Sequence, residues 1–165
     1  MTRRAAFLDR DGVINVAPAP GWYVLKWEEF AFHESVFDWV RLFNALDMLV
    51  IVVTNQRCVA RGLVTLAEVE AIHRRMVAEF ASRGCRIDDV YVCPHGDGEC
   101  DCRKPLPGMV RAAQAKWSID LTRSIMIGDS ERDRGLADAC GLTFVRAEGG
   151  RLMPPPVESS GCGQV

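Results

Sequence analysis

Polar residues able to do chemistry stand directly after several short apolar runs of this 165-residue sequence. Five of them follow the runs "AAFL", "VIVV" and "IMIG": Asp9, Asp11, Thr54, Asn55 and Asp129. Apolar runs that alternate with helical patterns predict strands of a parallel sheet. Because ligands bind outside the carboxyl ends of such strands, we expect these side chains to share one crevice.

Two more residues are expected in this crevice. Lys104 follows the third predicted strand, and Asp133 follows the fourth. Converging carboxylates repel each other unless a cation lies among them, and hard oxygen ligands suit Mg2+. A lysine and a threonine hydroxyl beside a metal suit a phosphate oxygen, and a carboxylate can attack a phosphoryl group. Each Asp alone is better explained as a turn or helix cap, but the whole set favours a site.

The segment "CPHGDGECDCRKP" contains four residues that are common zinc ligands. Cys93, His95, Cys100 and Cys102 have the spacing C-x-H-x4-C-x-C, which is typical of a structural Cys3His zinc site. A disulfide pair and reactive free thiols are the alternatives. A reducing cytoplasm disfavours the disulfide. Four possible metal ligands within ten positions disfavour free thiols. We predict a structural zinc that fixes the loop carrying Arg103 and Lys104.

Composition excludes several classes of protein. The formal net charge is −2, so neither nucleic acid nor an anionic membrane is expected as a partner. No apolar run approaches the ~20 residues of a membrane span. The first apolar stretch breaks at Asp9, too early for a signal peptide, which predicts a cytoplasmic protein. We expect a monomer that acts on a small phosphorylated metabolite.

The elements that must position these residues alternate along the chain. Strands are predicted at 5–9, 48–55, 88–93, 124–129 and 142–147, and helices at 34–46, 65–83, 107–117 and 131–140. This alternation predicts a doubly wound, Rossmann-like parallel α/β sheet of about five main strands, with the zinc loop after the third strand. A single domain is expected over residues 1–148, and a loop or loose tail over 149–165.

Four motifs in order resemble the haloacid dehalogenase superfamily of phosphohydrolases. They are "FLDRDGVIN" (7–15), "VVTNQ" (52–56), "CRKP" (102–105) and "IGDSERD" (127–133). The resemblance implies that Asp9 is a nucleophile that becomes an aspartyl-phosphate. Asp11 would protonate the leaving oxygen and later activate water. A carboxyl group that donates a proton at neutral pH needs a raised pKa, and we expect the neighbouring Asp9 and partial burial to raise that of Asp11.

The resemblance also implies the remaining site residues. Mg2+ would be held by Asp9, the backbone carbonyl of Asp11, and Asp129. Thr54 and Lys104 would hold the transferring phosphoryl group, and Asp133 would support the acidic site. In addition, we expect Asn55 and Arg103 at the phosphate or substrate.

The cysteine cluster narrows the resemblance to a zinc-containing branch that is nearly capless. This branch includes D-glycero-D-manno-heptose 1,7-bisphosphate phosphatases and histidinol-phosphate phosphatases. The chain agrees, because the interval from Asp9 to Thr54 holds a flap and one helix but no cap domain. We favour the sugar bisphosphate, with Arg57, Arg61 and Arg103 as candidates for binding its second phosphate or the sugar hydroxyls. Arg61 taken alone is better explained as an ordinary surface arginine. Arg57 and Cys58 replace the small residues that this branch usually has after Gln56. The resemblance therefore does not define the substrate pocket.

Two alternative interpretations describe a protein that does not turn over a substrate. A phospho-receiver domain also uses Asp, Thr and Lys around Mg2+, but its acceptor Asp lies on a different strand from the acidic pair. Here Asp9 and Asp11 share one strand end. A zinc scaffold with a dead site is disfavoured because every motif residue is present.

Overall fold

The computed structural model of the chain describes residues 2–153, which form one six-stranded sheet. The strands are β1 (Ala5–Leu8), β2 (Leu49–Asn55), β3 (Asp89–Cys93), β4 (Ile125–Gly128), β5 (Thr143–Glu148) and β6 (Arg151–Leu152). Their order across the sheet is β3-β2-β1-β4-β5-β6. The first five strands are parallel, and β6 runs antiparallel to β5. The two strands that carry Asp9 and Asp129 at their ends are therefore neighbours.

Four helices connect the parallel strands. They are α1 (Ser35–Ala45), α2 (Leu66–Ser82), α3 (Gly108–Trp117) and α4 (Glu131–Cys140). A capping box forms at the start of α2: the hydroxyl of Thr65 accepts from the backbone N–H of Glu68, whose carboxylate accepts from the backbone N–H of Thr65. Gly84 follows α2 with a φ of 71°, a left-handed conformation that glycine adopts without strain.

Side chains that alternate along the strands build one apolar layer on each face of the sheet. Ala6 and Leu8 of β1 pack with α1 and α2, whereas Ala5 and Phe7 pack with α3 and α4. All four residues of β1 are completely buried. This covering of both faces explains why the strands read as continuous apolar runs, and it confirms the predicted doubly wound α/β fold.

The sheet has one strand more than the sequence pattern predicts. Arg151 and Leu152 pair with Glu148 and Ala147 of β5. The reversal uses Gly149 and Gly150, both with positive φ. A two-residue strand carries no periodic signal, so the sequence predicted loop from residue 149 onward. Residues 154–165 of the predicted tail lie outside the described residues.

The chain between β1 and α1 forms a short flap rather than a domain. The flap contains a single 3-10 turn at Trp27–Glu29. Two backbone hydrogen bonds fasten its ends, from Val16 N to Ala31 O (2.8 Å) and from His33 N to Ile14 O (2.9 Å). The expected absence of a large cap holds for residues 2–153. Among the helices of this same range, none combines the length and the apolarity needed to cross a membrane.

Candidate active site

A buried lysine joins two carboxylates at the carboxyl edge of the sheet. Asp9 follows β1, and its backbone N–H donates to Ile127 O on β4 at 3.0 Å. The Nζ of Lys104 lies 2.8 Å from Oδ1 of Asp9 and 2.6 Å from Oδ1 of Asp133. Lys104 is only 3% exposed. Three residues that are far apart in sequence therefore meet as predicted.

Asn55 fixes the backbone of Lys104. Its side-chain Oδ1 accepts from the backbone N–H of Lys104 at 3.0 Å, and its Nδ2 donates to the Lys104 carbonyl at 3.2 Å. The end of β2 is thus tied directly to the loop that follows β3. Asn55 was expected at the phosphate or substrate; here its amide holds Lys104 in place.

Two glycines let the acidic side chains approach the strand ends. A Cβ atom on Gly12, whose φ is +87°, would lie 1.9 Å from Oδ2 of Asp129. A Cβ on Gly128 would lie 2.2 Å from Cβ of Asp133. Asp133 is further held by Ser130 at the N-terminus of α4, where the two side chains form a capping box. Any larger residue at either glycine would push a carboxylate out of the site.

Three carboxylates crowd around the single lysine. Asp9, Asp129 and Asp133 each place an oxygen within 4.8 Å of the other two. Burial and the Asp133 charge raise the pKa of Asp9 to about 8, although Lys104 opposes the shift. Burial and Asp133 also raise the pKa of Asp129. Because the excess negative charge is costly, this set of hard oxygen ligands fits a divalent cation.

Asp11 is held away from this crowd by hydrogen-bond donors. Its Oδ1 accepts from Nε and Nη2 of Arg10 (3.2 and 2.9 Å) and from Nδ2 of Asn15 (2.9 Å). Its Oδ2 accepts from Nη2 of Arg10 (3.0 Å) and from Nε2 of Gln56 (2.9 Å). Both oxygens of this carboxylate are engaged.

The expected rise in the pKa of Asp11 is wrong for this arrangement. Burial does favour the neutral acid, but the Arg10 charge and hydrogen bonds from Asn15, Arg10 and Gln56 outweigh it and lower the pKa of Asp11. The guanidinium of Arg10, which lies between the two aspartates in the sequence, is the main cause that lowers the pKa of Asp11. The carboxylates whose pKa values rise are Asp9 and Asp129.

Arg10 and His73 are site neighbours that sequence reasoning missed. Arg10 is completely buried, and its Nη1 donates to Nε2 of His73 at 3.0 Å. His73 projects from the buried stripe of α2, where Val69 and Met76 are also buried. Burial and Arg10 lower the pKa of His73 to about 3, so the ring is neutral. The sequence signal that could have identified His73 is its position within the apolar stripe of an amphipathic helix.

Gln56 was also missed, although it follows Asn55 directly. Its Nε2 donates both to Oγ1 of Thr54 and to Oδ2 of Asp11, at 2.9 Å each. Thr54 is 1% exposed and ends the buried part of β2. The residue expected to hold phosphate and the expected acid–base residue therefore share one amide group.

A cationic cavity of about 370 Å³ lies beside the carboxylates. Seven residues from the flap, the loops after β2 and β3, and α4 line it: Gly21, Tyr23, Asn55, Arg57, Arg61, Arg103 and Arg132. Asp97 lies between two of the arginines, 2.6 Å from Nε of Arg103 and 3.1 Å from Nη1 of Arg57. The three predicted arginines thus meet, and Arg132, one residue before Asp133, is an addition that no sequence pattern distinguished from a surface arginine.

The four predicted zinc ligands converge in the loop after β3. The Sγ of Cys100 lies 3.6 Å from that of Cys93 and 3.3 Å from that of Cys102. Nδ1 of His95 lies 3.7 Å from Cys93 Sγ and 3.4 Å from Cys102 Sγ. Sulfurs bound to one tetrahedral zinc stand about 3.8 Å apart, whereas a disulfide requires about 2.05 Å. The cysteines are unbridged, and the cluster is compatible with zinc.

The similarity to known proteins extends over most of the chain. The family profile described as "HAD-hyrolase-like" matches residues 101–161. A D-glycero-beta-D-manno-heptose-1,7-bisphosphate 7-phosphatase of Rhodopseudomonas palustris is 42% identical over 155 residues, covering 89% of this chain and 84% of the relative. This chain belongs to the heptose-bisphosphate phosphatase family of haloacid dehalogenase-like hydrolases.

Two further relatives agree with this membership. The D-glycero-alpha-D-manno-heptose-1,7-bisphosphate 7-phosphatase of Campylobacter jejuni is 40% identical, covering 90% of this chain and 86% of the relative. The crystal structure of D,D-heptose 1,7-bisphosphate phosphatase from B. bronchiseptica, complexed with magnesium and phosphate, superimposes with a TM-score of 0.79 at 35% identity. The superposition covers 86% of this chain and 78% of the B. bronchiseptica chain. Relatives named for both anomers match this member of the family.

Proposed function

We propose that this chain is a Mg2+-dependent phosphatase that removes the C7 phosphate of D-glycero-D-manno-heptose 1,7-bisphosphate. The observation that carries the proposal is the convergence of Asp9, Lys104 and the acidic pair Asp129 and Asp133 at one strand edge. Relatives about 40% identical are named for this reaction, which supports the substrate. Histidinol phosphate or another small phosphometabolite is the alternative substrate.

Asp9 is the nucleophile in this proposal. One of its carboxylate oxygens forms a bond to phosphorus while the bond from phosphorus to the leaving oxygen breaks, which gives an aspartyl-phosphate and a sugar alcohol. Lys104 and the hydroxyl of Thr54 bind the equatorial oxygens, where they offset the negative charge of the transition state. The Lys104–Asp9 distance of 2.8 Å supports this role, since Lys104 already lies beside the attacking carboxylate.

Asp11 is the general acid and base. In the first half of the reaction it donates a proton to the leaving sugar oxygen. In the second half it takes a proton from water, whose oxygen attacks phosphorus and releases phosphate from Asp9. The lowered pKa of Asp11 favours the ionised carboxylate, which is the form that a general base requires. It must therefore take up a proton before the first half.

Asp9, the backbone carbonyl of Asp11, and Asp129 are the residues that would hold Mg2+. When bound, the ion supplies positive charge that offsets the like-charge crowding of the carboxylates and of the phosphoryl group. Asp133 supports the site by holding Lys104, to which its carboxylate is bound at 2.6 Å. The crystal structure of the B. bronchiseptica relative contains magnesium and phosphate, which supports this assignment.

The phosphate that is not hydrolysed binds, in this proposal, in the cationic cavity. Arg57, Arg103 and Arg132 line it, and their number exceeds what the single carboxylate of Asp97 neutralises. Guanidinium groups bind phosphate through paired hydrogen bonds. An acidic or aromatic wall for the amine of histidinol phosphate has less support among these residues.

A structural zinc held by Cys93, His95, Cys100 and Cys102 completes the proposal. Cys102 directly precedes Arg103 and Lys104, so a metal here would fix the backbone that presents both cations. Against the effect of desolvation, hydrogen bonds from Cys102 and the backbone lower the pKa of Cys100 to about 7, whereas burial raises the pKa of the Cys93 and Cys102 thiols. In the absence of a metal the close cluster therefore favours one thiolate, at Cys100. A single domain over residues 1–148, a monomeric state and a cytoplasmic location stay predictions.

The substrate is tested by measuring Mg2+-dependent phosphate release from four compounds. These are both anomers of heptose 1,7-bisphosphate, heptose 7-phosphate and histidinol phosphate. We expect one or both bisphosphates to give the highest kcat/KM. Faster turnover of histidinol phosphate than of every sugar would overturn the substrate, and a stable phospho-protein without turnover would favour the receiver alternative.

A further inference from the structure

The buried pair of Arg10 and His73 has no part in the chemistry described so far. Arg10 has no exposed surface, and His73 is 4% exposed. A fully buried guanidinium is costly unless its donors are satisfied. Here the donors point at Asp11 and His73, and the ring of Phe30 lies 5.8 Å from the guanidinium carbon. The pair therefore connects α2 to the acid–base residue.

The two oxygens of Asp11 are not equivalent. A carboxylate oxygen has two lone-pair positions. Oδ1 receives three donors, two from Arg10 and one from Asn15, so it is saturated. Oδ2 receives one donor from Arg10 and one from Gln56. Loss of the Gln56 contact alone would open one position on Oδ2.

Gln56 has a second acceptor close by. Its Nε2 already donates to Oγ1 of Thr54 at 2.9 Å, and Thr54 is the proposed phosphate ligand. A phosphoryl group bound at Thr54 would bring further acceptor oxygens to this amide. Gln56 can then leave Asp11 without losing its hydrogen bonds, whereas Arg10 cannot, because it is buried between His73 and Asp11.

We propose that Arg10 is a positioning residue that locks Oδ1 of Asp11 and leaves Oδ2 as the oxygen that exchanges protons, and that His73 holds Arg10 in this orientation. Because arginine is only a donor, Nε2 of His73 is the acceptor and the ring proton is on Nδ1. Nδ1 has no hydrogen-bond partner among the described residues. The hydrogen bond with Arg10 is thus the one that the side chain of this buried residue makes among the described residues. The inference rests on the proposed role of Asp11 in the phosphatase reaction.

The test exploits leaving groups that differ in their need for a proton. An alkyl phosphate needs general-acid assistance, whereas p-nitrophenyl phosphate has a leaving group stable as an anion. The quantity kcat/KM covers steps up to release of the leaving group. Loss of correct positioning should therefore reduce kcat/KM for the alkyl phosphate much more than for p-nitrophenyl phosphate.

The alkyl probe is heptose 1,7-bisphosphate, or fructose 1,6-bisphosphate if the wild type does not hydrolyse the heptose compound. For His73→Leu and Arg10→Lys we expect kcat/KM to fall about 10- to 100-fold with the alkyl phosphate. With p-nitrophenyl phosphate it should stay within about a factor of three. Asp11→Asn sets the upper limit of this selective loss. His73→Gln, whose amide oxygen can accept from Arg10, should retain most of the alkyl activity.

Met76→Leu is the matched control, because Met76 is buried on the same stripe of α2. A partly unfolded variant loses both activities in proportion, so the ratio of the two is insensitive to folding. Equal losses with both substrates in His73→Leu and Arg10→Lys, beside a selective loss in Asp11→Asn, would overturn the inference. Failure of the wild type on the heptose compound alone would overturn only the proposed substrate, and failure on all three compounds would overturn both.

Discussion

The Nζ atom of Lys104 lies 2.8 Å from Oδ1 of Asp9, in a place where neither group is appreciably exposed. The two residues are 95 positions apart, and the pairing depends on the adjacent ends of β1 and β2 and on the hold of Asn55 on the Lys104 backbone. A carboxylate that is already beside a cation is oriented for attack on a phosphoryl group. The same pair also determines how the folded protein responds to pH and to Mg2+.

Replacing Asp9 with Asn should abolish turnover. An amide cannot form the acyl-phosphate, so the expected loss exceeds about 1000-fold in kcat, measured as phosphate release at saturating Mg2+. Asp138→Asn, an exposed position on α4, is the control and should keep wild-type activity. Normal turnover by a folded Asp9→Asn protein would rule out the proposed nucleophile.

Without added Mg2+, the protein should become less stable as pH rises from about 6.5 to 8, whereas at lower pH the neutral His73 contributes the opposite trend. The pKa of Asp9 is about 8 in the folded protein, against an ordinary value of 3.8. In this window the folded state keeps a proton that the unfolded state has lost. Stability therefore falls with pH, by at most about 1.4 kcal/mol per pH unit from this group. Thermal unfolding measures the change.

Added Mg2+ should reverse this decline of stability with pH, and the Asp9→Asn variant should show a smaller decline. Binding to the folded state alone raises Tm, and the rise should be larger at pH 8 than at pH 5, because the ion requires ionised carboxylates. A Tm that rises between about pH 6.5 and 8 in Mg2+-free buffer would contradict the predicted direction for Asp9.

Purified protein should contain about one equivalent of zinc. Cys100→Ser should lower the zinc content and the Tm together, because three ligands bind zinc more weakly than four. Cys140→Ser, at a buried cysteine outside the cluster, should keep its zinc. Metal analysis below about half an equivalent in a folded wild type would count against the structural site.

Arg57→Ala should weaken recognition of the bisphosphate selectively. Losing one charge-assisted hydrogen bond predicts a fall of about tenfold or more in kcat/KM for heptose 1,7-bisphosphate. Heptose 7-phosphate, which lacks the second phosphate, should be affected much less. Arg74→Ala, on α2 and outside the cationic cavity, is the control. An equal fall with both sugars would place Arg57 outside the binding of the second phosphate.

The positions of the five main strands and their burial were predictable because their signals are local. The residues 49–53 of β2 are all apolar, since helices cover both faces of the sheet, and Thr65 and Glu68 have the spacing of a capping box at the start of α2. β6 was not predictable, since two residues form no pattern. The pKa of Asp11 was predicted in the wrong direction because the orientation of Arg10 is not encoded in its position between two aspartates.

The sequence by itself determined the chemical inventory: the aspartates, Thr54 and Lys104 at successive strand ends, and the four ligands of the cysteine cluster. The period of the apolar residues, the spacing of the motif residues and the strand that precedes each of them are properties of short segments. They can therefore be recognised in the sequence alone. Only the tertiary structure decided which carboxylates have raised pKa values, which oxygen of Asp11 is saturated, and that His73 holds Arg10. These depend on distances of about 3 Å between residues from different elements, and electrostatic and hydrogen-bond energies change steeply over such distances.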